Sequence, residues 1–277
     1  MPPFFPVTLA LQAVACTLYV VGVAQPTLRR VSAVARASLL LAVAFQAVDI
    51  AWLCLRGLHP GSSIREAVYF LSWLFCLAYP LLSRKRPAPL LGALLLPLAM
   101  VLEIIVRLLP AGKAASNGDE SMFLASLHVL SATVGTALFG LAAVTGVAYL
   151  LSERHLKHHL ADAADPRLSL QTLDGWNHQC FAFGLLSFTL TMVSGTYWLT
   201  RRATWGQSFG QQVLWLLQKP QYVLSLLTWL MFAGLLFGRH VLGLRGRRAA
   251  MWTLSGFAVS VSILAVYLLR DFWWSSK

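Results

Sequence analysis

The sequence predicts an all-α, polytopic membrane protein: about eight transmembrane helices, with a short extracytoplasmic amphipathic helix between spans six and seven. Three observations predict it. Of the 277 residues 58% are hydrophobic and only 12% charged, a balance that soluble domains do not show. Apolar runs of roughly 17 residues or more, the length a bilayer core demands of a helix, recur along the whole chain. Within lipid every backbone polar group must be satisfied internally, so such runs are helices rather than open strands. Basic residues gather in alternate loops: Arg29, Arg30 and Arg36; Arg84, Lys85 and Arg86; Arg154, Lys157 and Arg167; and Arg239, Arg245, Arg247 and Arg248. That alternation marks those loops as cytoplasmic and leaves both termini extracytoplasmic.

The formal net charge of +12 is therefore a topology signal and an attraction to anionic lipid, not a nucleic-acid-binding face. The partner it implies is the lipid bilayer, with no nucleic acid. Residues 1–277 read as a single integral membrane domain.

The first span covers about 5–24, delayed by Pro2, Pro3 and Pro6; no positive side chain precedes it, so it is expected to remain rather than be cleaved. The second, about 37–56, carries Gln46 and Asp49. An acid at that depth costs roughly 2.5–3.5 kcal/mol on insertion scales, so it must face protein or water. Asp49 is either a polar wall of a buried site or a residue paired with a neighbouring helix. The third and fourth spans, about 67–83 and 88–109, are hinged at a basic turn from Arg84 to Pro89. Glu103 and Arg107 end the fourth at i, i+4 spacing with Glu first, which suits an intrahelical ion pair more than a role in holding a ligand's carboxylate.

The fifth span, about 122–151, holds His128, about two turns in from its extracytoplasmic end and the only histidine well inside a span. A lone buried histidine is either a hydrogen-bonded core residue or a ligand, and the residue alone leaves both open. In the longest loop His155, His158 and His159 fall on one helical face. No second shell to orient those rings is evident, so the loop reads as a solvated polar helix rather than a metal site. Cys16, Cys54, Cys76 and Cys180 lie in or beside apolar runs with no CxxC, as small core residues do, which argues against a thiol–disulfide carrier. The sixth span is about 178–199, the seventh 220–238 and the eighth 250–269.

The stretch Ser194–Trp229, between spans six and seven, carries four tryptophans. In its middle Phe209, Val213, Leu214, Leu216 and Leu217 oppose Gln207, Gln211, Gln212 and Gln218, the pattern of a helix lying in the interface. Its tryptophans are either belt anchors or a flat aromatic shelf for a planar ligand.

Trp205-Gly206, the aromatic Phe209, Pro220 and Leu227-Thr228-Trp229-Leu230 resemble the tryptophan-rich haem-handling segment of the cytochrome c assembly superfamily. The resemblance is to its CcsA/ResC/CcmC type, nearer the HemX- and YpjD-like branch. In well-defined members that segment reads WGxxWxWDPKE, followed by a helix containing Thr-Trp-Leu. The turn Gly243-Leu244-Arg245-Gly246-Arg247-Arg248 also fits the family form Gly-x-Arg-Gly-Arg/Lys-Arg, and the likeness covers roughly residues 35–270. It implies a haem-binding and haem-handling protein of cytochrome c biogenesis, in a bacterial cytoplasmic membrane, presenting haem at the extracytoplasmic face. It implies His128 as an axial ligand to haem iron, with Trp205, Gly206, Phe209, Trp215 and Trp229 around the macrocycle. The implied partner is a haem-delivery or cytochrome c assembly protein. Gln211 and Gln212 stand where the signature has its last tryptophan and aspartate, or, in an alignment on Pro220, Lys219 and Gln221 stand in for its aspartate and lysine; Phe237-Gly238 stand where haem-transferring members carry a histidine. The alternative is a HemX-like membrane regulator or assembly subunit linked to tetrapyrrole synthesis, without bound haem. No nucleophile–base pair or cofactor loop is visible, so no catalytic residue is assigned, and a handling factor is expected rather than an enzyme.

Overall fold

A computed structural model describes residues 2–25, 29–84, 88–109, 120–158, 169–203 and 208–275. These residues form nine helices and no strand: α1 (Phe5–Ala24), α2 (Arg29–Leu55), α3 (Ile64–Leu82), α4 (Pro89–Leu108), α5 (Glu120–His158), α6 (Leu170–Ala203), α7 (Phe209–Leu217), α8 (Pro220–Val241) and α9 (Arg247–Ser275). By length and composition, seven are able to cross a membrane: α1 to α6 and α8. The eighth expected span lies inside α9, a helix of 29 residues that is not among those seven. The protein is a polytopic, all-helical membrane protein.

Prolines set several helix starts. Pro6, Pro89 and Pro220 occupy the first turn of α1, α4 and α8, where the missing N–H has no intrahelical partner to lose. Most helices outrun the apolar runs that announce them. Leaving the hydrocarbon does not end a helix, because flanks rich in Ala, Arg and Leu keep good helical propensity in water.

The chain divides into two compact units, Met1–Asp119 with Ala148–Leu173, and Glu120–Val147 with Asp174–Lys277. In the first, α1 packs on α2 and α4, while α3 packs on α4 and α2. Its interior is aromatic and polar by turns. The Tyr19 and Tyr79 rings stand 4.6 Å apart. Gly92 allows the Tyr19 ring to lie against α4, since a methyl group there would come within 2.6 Å of it. Asp49 is paired with neighbouring segments: it accepts hydrogen bonds from the Phe4 N–H (3.0 Å) and the Tyr69 hydroxyl (3.0 Å). The expected Glu103–Arg107 pair does not form. Glu103 faces the interior, where Gln12 (2.6 Å) and Ser72 (3.1 Å) donate to it, and Arg107 lies on the exposed side. Interior donors from other helices win over a partner one turn along, because an acid at this depth needs contacts that water cannot supply.

The second unit is built on aromatic packing of α5, α6 and α8. Phe139 stacks flat on Phe232 at 3.7 Å between ring centroids and meets Phe188 at 5.5 Å. Gly184 clears the space for Phe139; a methyl group there would come within 2.7 Å of its ring. Asn177 donates to the Ala142 carbonyl (2.7 Å) and accepts from Thr253 (3.3 Å), tying α5, α6 and α9 together. Asp174 is gripped by the Arg239 guanidinium and also accepts the Gly246 N–H (3.0 Å) just ahead of α9. One carboxylate thus joins the start of α6, the end of α8 and the start of α9, where a helix N-terminus favours negative charge.

Candidate functional site

His128 is a half-buried residue of α5 whose ring is fixed by α6. Its Nδ1 lies 2.9 Å from the Thr191 carbonyl oxygen. A carbonyl can only accept, so Nδ1 carries the proton and donates, and in the neutral ring Nε2 keeps its lone pair. The ring sits over Gly195, one turn further along α6: a methyl group there would come within 2.5 Å of Cε1 and 2.7 Å of Nδ1. Around it Thr191 donates to Ser131 (2.9 Å), Ser187 donates to the Ser131 carbonyl (3.0 Å), and Ser131 donates to the His128 carbonyl (3.0 Å). Small hydroxyl residues therefore hold α5 and α6 close at the level of the imidazole.

Trp229 of α8 reaches the same turn of α6. Its indole Nε1 donates to the Thr189 hydroxyl at 2.9 Å, two positions before the carbonyl that orients His128. His128 is thus held along the α5–α6 seam and Trp229 along the α8–α6 seam. Trp215 lies half-buried on α7, with the Lys219 ammonium over its ring at 4.6 Å. That cation–π contact occupies one face of the indole. Phe209 opens α7, and Trp205 and Gly206 lie outside the described residues. Among the described residues, no group of three or more His, Cys, Asp or Glu is placed to hold a metal ion. The helical reading of His155 and His158 holds, since α5 runs through His158, while His159 lies outside the described residues.

The Cytochrome C assembly protein family model matches residues 62–274, most of the chain. The chain belongs to the cytochrome c assembly protein family. It is similar to the cytochrome c biogenesis protein CcsA of Heterosigma akashiwo, at 25% identity over 237 residues, covering 72% of this chain and 70% of the relative. The CcsA of Gloeothece citriformis is 24% identical over 305 residues, covering 91% and 90%. The CcsA of Prochlorococcus marinus strain MIT 9312 is 22% identical over 246 residues, covering 78% and 74%. No solved structure matches.

The family-like turn after α8 now has a physical basis. Gly243 and Gly246 both have φ of 63°, the left-handed region that favours glycine, so the two fixed glycines of the turn are conformational requirements. Leu244 between them packs onto Gly238, where a methyl group would come within 2.6 Å of it. Gly238 is thereby committed to closing the end of α8, and Phe237 beside it faces outward.

Sequence reasoning missed the supports of the site. Thr191, Gly195 and Thr189 read as ordinary small residues of a membrane helix, and only their contacts across to α5 and α8 give them a task. Gln211, which stands in place of a signature tryptophan, also gains one: its side chain accepts the Ser208 N–H (3.2 Å) in a capping box that starts α7. The Ser-x-x-Gln spacing was the available signal.

Proposed function

We propose that this protein binds haem at the extracytoplasmic face of a membrane and presents it to a partner in cytochrome c biogenesis, working as one integral membrane domain. The observation that carries the reading is the state of His128. Its Nδ1 is committed to the Thr191 carbonyl at 2.9 Å, and its ring rests in the space left by Gly195, so Nε2 is the nitrogen left to donate to iron. Family membership supports it, as do relatives named for cytochrome c biogenesis. Haem, when bound, supplies the iron centre and the vinyl groups that a partner's cysteines take up. The chain's own residues orient and shield: Thr191 fixes the imidazole tautomer, Trp229 and Trp215 offer aromatic surface, and α7 lies along the interface. No second protein ligand is proposed, because Phe237 and Gly238 fill that place.

The visible absorption spectrum of the protein, purified from cells that make haem, tests this reading. A Soret band near one haem per chain is expected. Full-length, folded protein with no Soret band, before and after incubation with hemin, overturns it and favours the haem-free regulatory subunit.

A further inference from the structure

A second polar site lies in the first unit and has no part in the haem reading. Gln12 of α1, Gln46 of α2, Ser72 of α3 and Glu103 of α4 are all fully buried. They come from the first halves of α1 and α3 and the second halves of α2 and α4. Gln12 Nε2 donates to Glu103 Oε1 (2.6 Å) and to Gln46 Oε1 (3.3 Å), and Ser72 also donates to Glu103 Oε1 (3.1 Å). Gln46 Nε2 in turn donates to Ser72 (3.3 Å) and the Tyr69 carbonyl (3.5 Å).

Two oxygens in this cluster have no hydrogen-bond partner: Glu103 Oε2 and Gln12 Oε1. They belong to the two groups that the 2.6 Å bond already ties together. Turning the Gln12 amide over does not help, since its carbonyl would then face two acceptor oxygens. With Glu103 ionised both orphans are acceptors, and a positive centre meets both oxygens and the carboxylate's charge, whereas a neutral donor meets the oxygens alone. The neighbouring acid does not compete for it, because Asp49 is satisfied by Phe4 and Tyr69. Among the described residues Glu103 forms no ion pair, and all its donors are neutral. A buried charge without a counter-charge is expensive in a membrane interior.

We propose that Gln12 and Glu103, with Gln46 Oε1 and Ser72 Oγ beside them, form a binding site for one monovalent alkali cation. An all-oxygen donor set suits a hard cation, and one uncompensated carboxylate matches a single positive charge. The ion joins α1 to α4 through their side chains and bridges α2 and α3 by way of the glutamine and serine.

The test uses the purified full chain in lipid nanodiscs at fixed ionic strength, with binding read at one pH and unfolding at several. Equilibrium binding of radioactive sodium, with potassium as competitor, is measured alongside thermal unfolding in sodium, potassium and choline chloride. Saturable binding of about one ion per chain is expected, with a higher unfolding temperature in one alkali salt than in choline. Glu103→Gln should abolish binding and Gln12→Leu weaken it at least ~10-fold. Absence of saturable binding by the wild type in either alkali salt overturns the proposal without recourse to variants. So does an unfolding temperature that follows pH in choline but ignores both alkali ions, since a proton then fills the place. Binding that survives in both variants overturns it as well. Haem content plays no part in these readings, so this proposal and the haem reading fail separately.

Discussion

His128 shows how much a single ring depends on what lies beneath it. The imidazole is aimed by a backbone carbonyl and seated on a glycine, and neither leaves a trace in composition or hydropathy. Gly195→Ala should force the ring away, because a new Cβ would stand 2.5 Å from Cε1. The strain of such overpacking is typically about 1–3 kcal/mol. Haem content and melting temperature should both fall, whereas Gly210→Ala, which meets nothing within 4 Å and lies in a helix that favours alanine, should lower neither. Trp229→Phe keeps the aromatic area but removes the bond to Thr189. A melting point lowered by the loss of about 0.5–1.5 kcal/mol is expected, and an unchanged one would mean the indole N–H does not anchor α8 to α6. At this scale the sequence was legible only in part. His128 stood out because an imidazole deep in an apolar run is unusual. Gln12, Tyr69 and Ser72 did not stand out, since their partners lie on other helices and no local spacing announces them. In the sequence Glu103 reads as the partner of Arg107, because i, i+4 geometry is visible there and a contact from Gln12, 91 positions away, is not.

Among the elements, the junction of α6, α8 and α9 rests on one acid. Asp174 holds Arg239 and the Gly246 N–H together, and both members of the ion pair are largely shielded. Removing one partner of such a pair costs about 3–5 kcal/mol, chiefly through the charge left behind. Asp174→Asn should therefore lower thermal stability by that order, and Asp174→Asn with Arg239→Met should recover part of the loss; a double variant no better than the single one would show that the pair is not coupled. The helix α7 poses a different question. If Trp215 is part of a shelf, Trp215→Ala should reduce haem retention and leave membrane-inserted yield intact. Equal haem retention with lower yield would show an anchor instead. The existence of α7 was legible from its apolar and glutamine faces, though Gln207 lies outside the described residues; the function of Gln211 was not, because a capping box and a degraded signature look alike in one sequence.

For the whole molecule, the apolar runs made the helix order legible, since the length requirement of a bilayer leaves few alternatives. The polar extensions of α5 and α6 were harder to see, because hydropathy marks where lipid ends and not where a helix ends. The sidedness of the chain rests on the basic loops near residues 30, 85, 160 and 245. Reporter fusions at residues 115 and 208 should accordingly report an extracytoplasmic location, and a cytoplasmic reporter at 208 would remove the basis for presenting haem outside. The proposed ligation of haem iron by His128 is read from the spectrum of purified His128→Ala with and without imidazole. Most bound haem should be lost from that variant and recovered when imidazole is added to fill the place of the missing ring. Haem content and Soret position unchanged from wild type, in protein of normal yield, would contradict it.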